Sequence, residues 1–143
     1  MTEDDIKQRF HHEIALRAVD DRYIDRNEER EILEIAIQLG MGAERARNAL
    51  AEVCAREGYV LESVVLRGIR QQLEVAIAND GKVDRKEFDV VFHNAREAMN
   101  GKKSDREIKK LIVLLMEDTG NNRVKTGWFH DWYSSLKKEL GMK

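Results

Sequence analysis

The chain contains no proline in 143 residues, whereas an average soluble chain of this length carries about seven. Domains rich in β-structure place proline and glycine in the turns between short strands, so a chain without proline is poorly suited to such a fold. Hydrophobic residues make up 42% of the chain, which is enough to bury a core without disulfides. We therefore predict an all-α fold, formed as a single compact domain over residues 1–143.

Apolar residues recur at helical spacing along most of the chain and predict about seven helices. The predicted helix starts lie at Thr2, Asp25, Ala43, Leu61, Asp84, Ser104 and Thr126. The second helix carries Leu33, Ile35 and Ile37 beside its main apolar face, so we expect it to be buried on two sides. Gly68 lies inside the fourth helix, where glycine costs about 1 kcal/mol, and we expect it to mark a close helix crossing.

An acidic pattern, D-x-x-[IV]-D-x-x-E, occurs twice with a separation of 59 residues. Its acidic positions are Asp21, Asp25 and Glu28 in the first copy and Asp80, Asp84 and Glu87 in the second. We call residues 21–28 the first acidic turn and residues 80–87 the second acidic turn. Each turn follows an apolar helix end and precedes another helix, which predicts two pseudo-repeated helix–acidic turn–helix units. Two fainter relatives, beginning at Glu57 and Asn121, keep the apolar position but lose the acidic ones.

The carboxylates of the acidic turns have two interpretations. Aspartate at a helix N-cap and glutamate three residues later form a capping box, which needs no ligand. This explains the last two acidic positions of each turn better than the first. Three carboxylates within eight residues repel one another unless a cation or a basic side chain intervenes, and clustered oxygen ligands are typical of Ca²⁺ sites. The six acidic residues are therefore the candidate metal ligands, with Ca²⁺ favoured over Mg²⁺.

The two acidic turns, in an all-helical chain of this size, resemble the TerB-like tellurite-resistance family. The similarity is greatest from Ile14 to Met41, where the helix after the first acidic turn ends in Leu39-Gly40-Met41. The resemblance implies a seven-helix fold and a divalent-cation surface formed by the two acidic turns. It also implies a role as a partner in larger assemblies linked to stress and metal resistance. The chain departs from the family at Arg22, where members usually have glycine.

Composition and the remaining motifs argue against several other classes of protein. The net charge of −2 gives no whole-protein reason to expect a nucleic-acid partner. The apolar runs are far shorter than the roughly 20 residues that span a bilayer, and the N-terminal residues are acidic where a signal peptide would be basic. The single Cys54 cannot form an internal disulfide, which favours the cytoplasm. Without a phosphate loop, a nucleophile motif or zinc-ligand spacing, we predict a non-enzymatic protein.

Aromatic residues concentrate between Trp128 and Tyr133, a segment that holds four of the nine in the chain. Such a helix is usually part of a core, and an exposed aromatic pair on it would be a partner-binding anchor. Our leading hypothesis is a cytoplasmic module that binds a divalent cation through the paired acidic turns, as a sensor or scaffold in a stress-response assembly. The alternative is a metal-independent protein–protein interaction module, in which the acidic turns are helix caps and the C-terminal aromatic helix is the contact surface.

Overall fold

The computed structural model describes residues 2–118 and 132–142, with the exception of the side chain of Asp80. The described elements are α1 (Glu3–Ala18), β1 (Tyr23–Ile24), α2 (Arg26–Gln38), α3 (Ala43–Glu57), β2 (Val60–Leu61), α4 (Glu62–Asp80), α5 (Arg85–Met99), α6 (Asp105–Asp118) and α7 (Trp132–Glu139). Of the residues that the structure describes, 78% are helical, which confirms the predicted all-α class. The chain divides into an N-terminal unit, Met1–Val64, and a C-terminal unit, Val65–Lys143.

The N-terminal unit begins with a capped helix and buries one continuous apolar cluster. The Thr2 hydroxyl accepts a hydrogen bond from the Asp5 N–H, and the Asp5 carboxylate accepts one from the Thr2 N–H, which forms a capping box at α1. Gly58 ends α3 in the left-handed conformation, with φ of 74°. Phe10, Ile14, Ile24, Ile32, Ala36, Ala46, Leu50 and Cys54 belong to the buried cluster. Cys54 is therefore a small residue of this core.

Two short strands in the N-terminal unit were not predicted. β1 and β2 pair in parallel, with Tyr23 opposite Val60 and Ile24 opposite Leu61. Two residues are too few to produce a periodic pattern in the sequence, so these strands could not be predicted. All four of their side chains are buried. The strands join the first acidic turn to the fainter relative that begins at Glu57.

The C-terminal unit contains the residues of α4 that follow Val64, together with α5, α6 and α7. Its helices bury residues at helical spacing: Phe88, Val91, Ala95 and Met99 on α5, Ile108, Ile112, Val113 and Met116 on α6, and Tyr133 and Leu136 on α7. Each unit thus contains a helix, an acidic turn and a following helix, in the order that the repeated pattern predicted.

Two expectations about individual helices are wrong. Ile37 is 55% exposed, and only Ile32 and Ala36 of α2 are fully buried, so α2 is not buried on two sides. Gly68 does not mark a close helix crossing, because a Cβ placed there would meet no atom within 4 Å. The predicted start of the last helix at Thr126 lies outside the described residues. Among the helices that are described, none combines the length and hydrophobicity that crossing a membrane requires.

Candidate functional site

All three carboxylates of the first acidic turn accept hydrogen bonds from nearby backbone. Asp25 is the N-cap of α2 and accepts from the Glu28 N–H at 2.8 Å, while Glu28 accepts from the Asp25 N–H at 3.1 Å. Asp21 accepts from the Tyr23 N–H at 3.1 Å, two residues along the chain, as aspartates commonly do in turns. The first position of the pattern, which capping alone did not explain, is therefore a local turn-forming residue.

The second acidic turn repeats the capping geometry. Asp84 is the N-cap of α5 and accepts from the Glu87 N–H at 2.8 Å, and Glu87 accepts from the Asp84 N–H at 2.9 Å. Asp80 is the last residue of α4, and its side chain lies outside the described part of the structure. The capping interpretation thus holds for both acidic turns at the positions where it was predicted.

Arg22 gives the first acidic turn the backbone conformation that glycine gives the second. Its φ is 56°, in the left-handed region, and Gly81 at the equivalent position has φ of 80°. The Arg22 guanidinium donates a hydrogen bond to the Glu57 carbonyl and lies over the Tyr59 ring, with 5.3 Å between the guanidinium carbon and the ring centroid. The departure from the TerB-like pattern therefore keeps the turn and adds contacts between the first acidic turn and the end of α3.

The electrostatics of the first acidic turn reflect its crowded carboxylates. Partial burial raises the pKa of Glu28, the hydrogen bond from the Asp25 backbone opposes this, and the negative charges of Asp25, Asp21 and Glu31 raise the pKa further. Among the described side chains of residues 2–118 and 132–142, which exclude that of Asp80, no three His, Cys, Asp or Glu side chains form a group that could hold a metal ion. The first acidic turn, whose three carboxylates are all described, forms no such group. The two acidic turns belong to different units.

The described part of the aromatic helix packs inside the C-terminal unit. The Trp132 ring lies 5.6 Å from that of Phe88, centroid to centroid, and the guanidinium of Arg85 lies 5.9 Å from the Trp132 centroid. Tyr133 is buried and donates to a Glu117 carboxylate oxygen at 3.1 Å. These contacts favour the core interpretation for α7. Trp128 and Phe129 lie outside the described residues.

An open groove between α4 and α5 was not predicted from the sequence. Its volume is about 620 Å³, and its apolar lining consists of Gly68, Val75, Ala76, Val90 and Val91. We call this surface the valine groove. Val75 is 62% exposed and Val90 is 58% exposed, and both line this concave surface. The carboxamides of Gln71, Gln72, Asn79 and Asn94 complete most of the lining, and the charged side chains are Lys86 and Glu87.

The 59-residue repeat shows how the side chains of the groove differ from those of the equivalent helix pair, α1 and α2. In α1 and α2, the positions equivalent to Gly68, Gln72, Ala76 and Val90 hold Arg9, Glu13, Arg17 and Glu31. There, Arg17 bonds Glu13 at 2.7 Å and Glu31 at 3.3 Å, so it links α1 to α2. The C-terminal unit has small, apolar or neutral residues at all four positions. This comparison between the two repeats was the signal in the sequence that would have revealed the groove.

Comparisons with protein-family models, with curated proteins and with solved structures found no match to this chain. The resemblance to TerB-like proteins therefore stays a prediction from the sequence. The evidence about function comes from two features of the structure: the capped acidic turns and the valine groove.

Proposed function

We propose that the chain is a metal-independent protein–protein interaction module whose contact surface is the valine groove. The observation that carries this proposal is the exposure of Val75 and Val90, at 62% and 58%, on a concave surface. Covering the exposed part of one valine contributes roughly 1 kcal/mol to binding. Two neighbouring valines in a groove thus supply the kind of central apolar contact from which interfaces gain most of their energy.

The acidic turns support this proposal because their carboxylates already have structural roles. Asp25 and Asp84 each cap a helix and accept a backbone N–H, and Glu28 and Glu87 reciprocate. Each cap uses one oxygen of its carboxylate, so a bound cation would have to share these residues with the helix termini. The contact surface also differs from the C-terminal aromatic helix of our earlier hypothesis, since Trp132 and Tyr133 pack against residues of their own unit.

A divalent-cation module remains the second candidate, because one observation favours it. Partial burial and, to a smaller extent, the negative charges of Asp25, Asp21 and Glu31 oppose ionisation of Glu28, and a cation such as Ca²⁺ would relieve the repulsion between the charges. In this case the first acidic turn would be the site, and the module would serve as the cation-dependent sensor or scaffold that the TerB-like resemblance implies.

Site-specific photocrosslinking in the cells that produce the protein tests the proposed contact surface. A benzophenone amino acid at position 75 should crosslink to a protein partner. The matched control is position 16. Leu16 lies 59 residues before Val75, at the equivalent position of the first repeat, and is 52% exposed. It belongs to α1, which an ion pair joins to α2. Crosslinks from position 75 and not from position 16 support the proposal. Equal crosslinking from both positions, or none from position 75, would refute it.

Thermal unfolding of chelator-treated protein separates the two candidates. A cation at 100 times its dissociation constant adds about 2.7 kcal/mol to the free energy of unfolding. We expect no such rise with millimolar Ca²⁺ or Mg²⁺. A rise that is lost in the Asp21→Asn variant, and kept in an Asp118→Asn surface control, would favour the second candidate instead.

A further inference from the structure

We infer that the occupant of the valine groove is the same groove of a second copy of this chain, so that the protein forms a two-fold symmetric dimer. This inference rests on the proposed function, since it names the partner for that contact surface. In such a dimer, α4 and α5 of both copies would form a four-helix arrangement.

The polar part of the lining has the chemistry that a symmetric partner requires. A carboxamide carries both a donor and an acceptor, so it can pair with an identical carboxamide, whereas an ammonium or a carboxylate repels its own copy. Gln71, Gln72, Asn79 and Asn94 are carboxamides, and Asn94 already donates to Gln72 at 2.9 Å across the two helices. An acidic or basic partner would find little complementary charge on this surface.

The charges in the lining also suit an antiparallel arrangement of two copies. Lys86 and Glu87 give the lining no net charge, and both lie at the end of the groove next to the second acidic turn. A two-fold axis that lies in the interface and runs across the groove, from α4 to α5, places this end of one copy against the Gly68 and Asn94 end of the other. The two Lys86 side chains are thereby kept apart, because the α4 face from Gly68 to Asn79 extends about 17 Å.

The apolar contacts are reciprocal in the same arrangement. Val75 lies on α4 and Val90 lies on α5, so an axis that crosses both helices near these residues brings Val75 of one copy towards Val75 of the other, and Val90 towards Val90. The equivalent surface of the N-terminal unit cannot associate in this way, because Arg17 and Glu31 close it with an ion pair at 3.3 Å. The four replacements that distinguish the two repeats are thus the replacements that make one groove self-complementary.

Sedimentation velocity of the full chain tests the inference between about 1 µM and about 1 mM. We expect a species of twice 16.6 kDa whose population increases with concentration. Because the contact is apolar, the dissociation constant should change little between low and high salt. Val75→Asp should weaken association by at least about 10-fold, while Leu16→Asp, the matched control, should leave it unchanged. Both positions are exposed, so circular dichroism should report folded protein in each case.

A second variant closes the groove by copying the other repeat. Ala76→Arg together with Val90→Glu introduces the residues that form the Arg17–Glu31 pair in the N-terminal unit, and should yield folded monomer. Monomeric wild type over the whole concentration range, or a dimer that survives Val75→Asp, would overturn the inference. If wild type is monomeric but position 75 crosslinks in cells to a protein of another mass, the proposed function stands and only the identity of the partner is wrong. Without either association or crosslinks, both fail.

Discussion

Replacing Arg22 by alanine and by glycine separates two opposing contributions to the first acidic turn. The left-handed conformation, with φ of 56°, costs a residue other than glycine about 1–2 kcal/mol. Against this cost, the guanidinium donates to the Glu57 carbonyl at the end of α3 and lies over the Tyr59 ring. A hydrogen bond of this kind contributes about 1 kcal/mol net, and an exposed cation–π contact about 0.5–1 kcal/mol. The two contributions are of similar size and nearly cancel in the wild type.

The two variants should therefore differ in a defined way. Arg22→Ala loses both contacts and keeps the unfavourable φ, so we expect it to lower the free energy of unfolding by about 1.5–2 kcal/mol. Arg22→Gly loses the same contacts but removes the conformational cost of the left-handed φ. The greater conformational entropy of glycine in the unfolded chain offsets part of this gain. It should be more stable than Arg22→Ala by roughly 0.5–1 kcal/mol. Urea unfolding followed by circular dichroism measures both differences, provided that the m-values are unchanged.

Gly81→Ala in the second acidic turn is the matched control for the backbone contribution. Gly81 has φ of 80°, and a Cβ placed there would meet no atom within 4 Å, so alanine adds conformational cost without a clash. Its destabilisation should match the difference between the glycine and alanine variants at position 22. If Arg22→Ala is as stable as the wild type, the guanidinium contacts contribute nothing. If Arg22→Gly is no more stable than Arg22→Ala, the left-handed backbone carries no cost at this position, and the reasoning is refuted.

Three further outcomes follow from the caps and the core. Asp84→Ala should lower the free energy of unfolding by about 1 kcal/mol, whereas Asp84→Asn, which retains an N-cap acceptor, should stay within a few tenths of the wild type in urea titrations. The pKa of Glu28 is raised above 4.5 in the folded protein, so its contribution to stability is present below that pH and is lost as the pH rises through the raised pKa. Glu28→Gln, which keeps the capping box, should therefore gain stability relative to the wild type as the pH rises through this window. A stability difference that stays constant from pH 3 to pH 7 would contradict this expectation. Burial raises the pKa of the Cys54 thiol to about 11, from 9.0, so alkylation of the native protein should be slower than that of urea-unfolded protein by at least about 100-fold. Equal rates would place Cys54 outside the core.

The sequence predicted those parts of the fold that depend on residues close together along the chain. The capping boxes at Asp25 and Asp84 each involve two residues three positions apart, and their hydrogen bonds form as predicted. The helix starts follow from these caps, and the ends from residues such as Gly58. Local chemistry was sufficient here because a helix terminus has few partners other than its own first turn.

Features that depend on residues far apart along the chain were not predicted. Arg22 adopts a conformation typical of glycine because contacts with Glu57 and Tyr59 compensate for it, and those residues lie more than thirty positions away. Ile37 is exposed although its neighbours in the sequence are apolar, because burial is decided by which helix face meets another element. The resemblance to TerB-like proteins placed six carboxylates in a metal site, but it carried no information about which of them the helix termini already use.

The valine groove shows how one repeated backbone can serve two purposes. Both helix pairs share the capped acidic turn, so the turn itself does not distinguish them. The difference lies in the side chains that face across each pair: Arg17 and Glu31 join one pair through charge, whereas Ala76 and Val90 leave the other open. Glu31 in this pair is largely exposed, whereas Arg17 is mostly buried. Ion pairs at the surface contribute a median of about 0–1 kcal/mol to stability, so we expect its replacement to cost the fold little. The resulting apolar surface therefore lowers the stability of the fold only slightly, and we infer that it serves association with a partner.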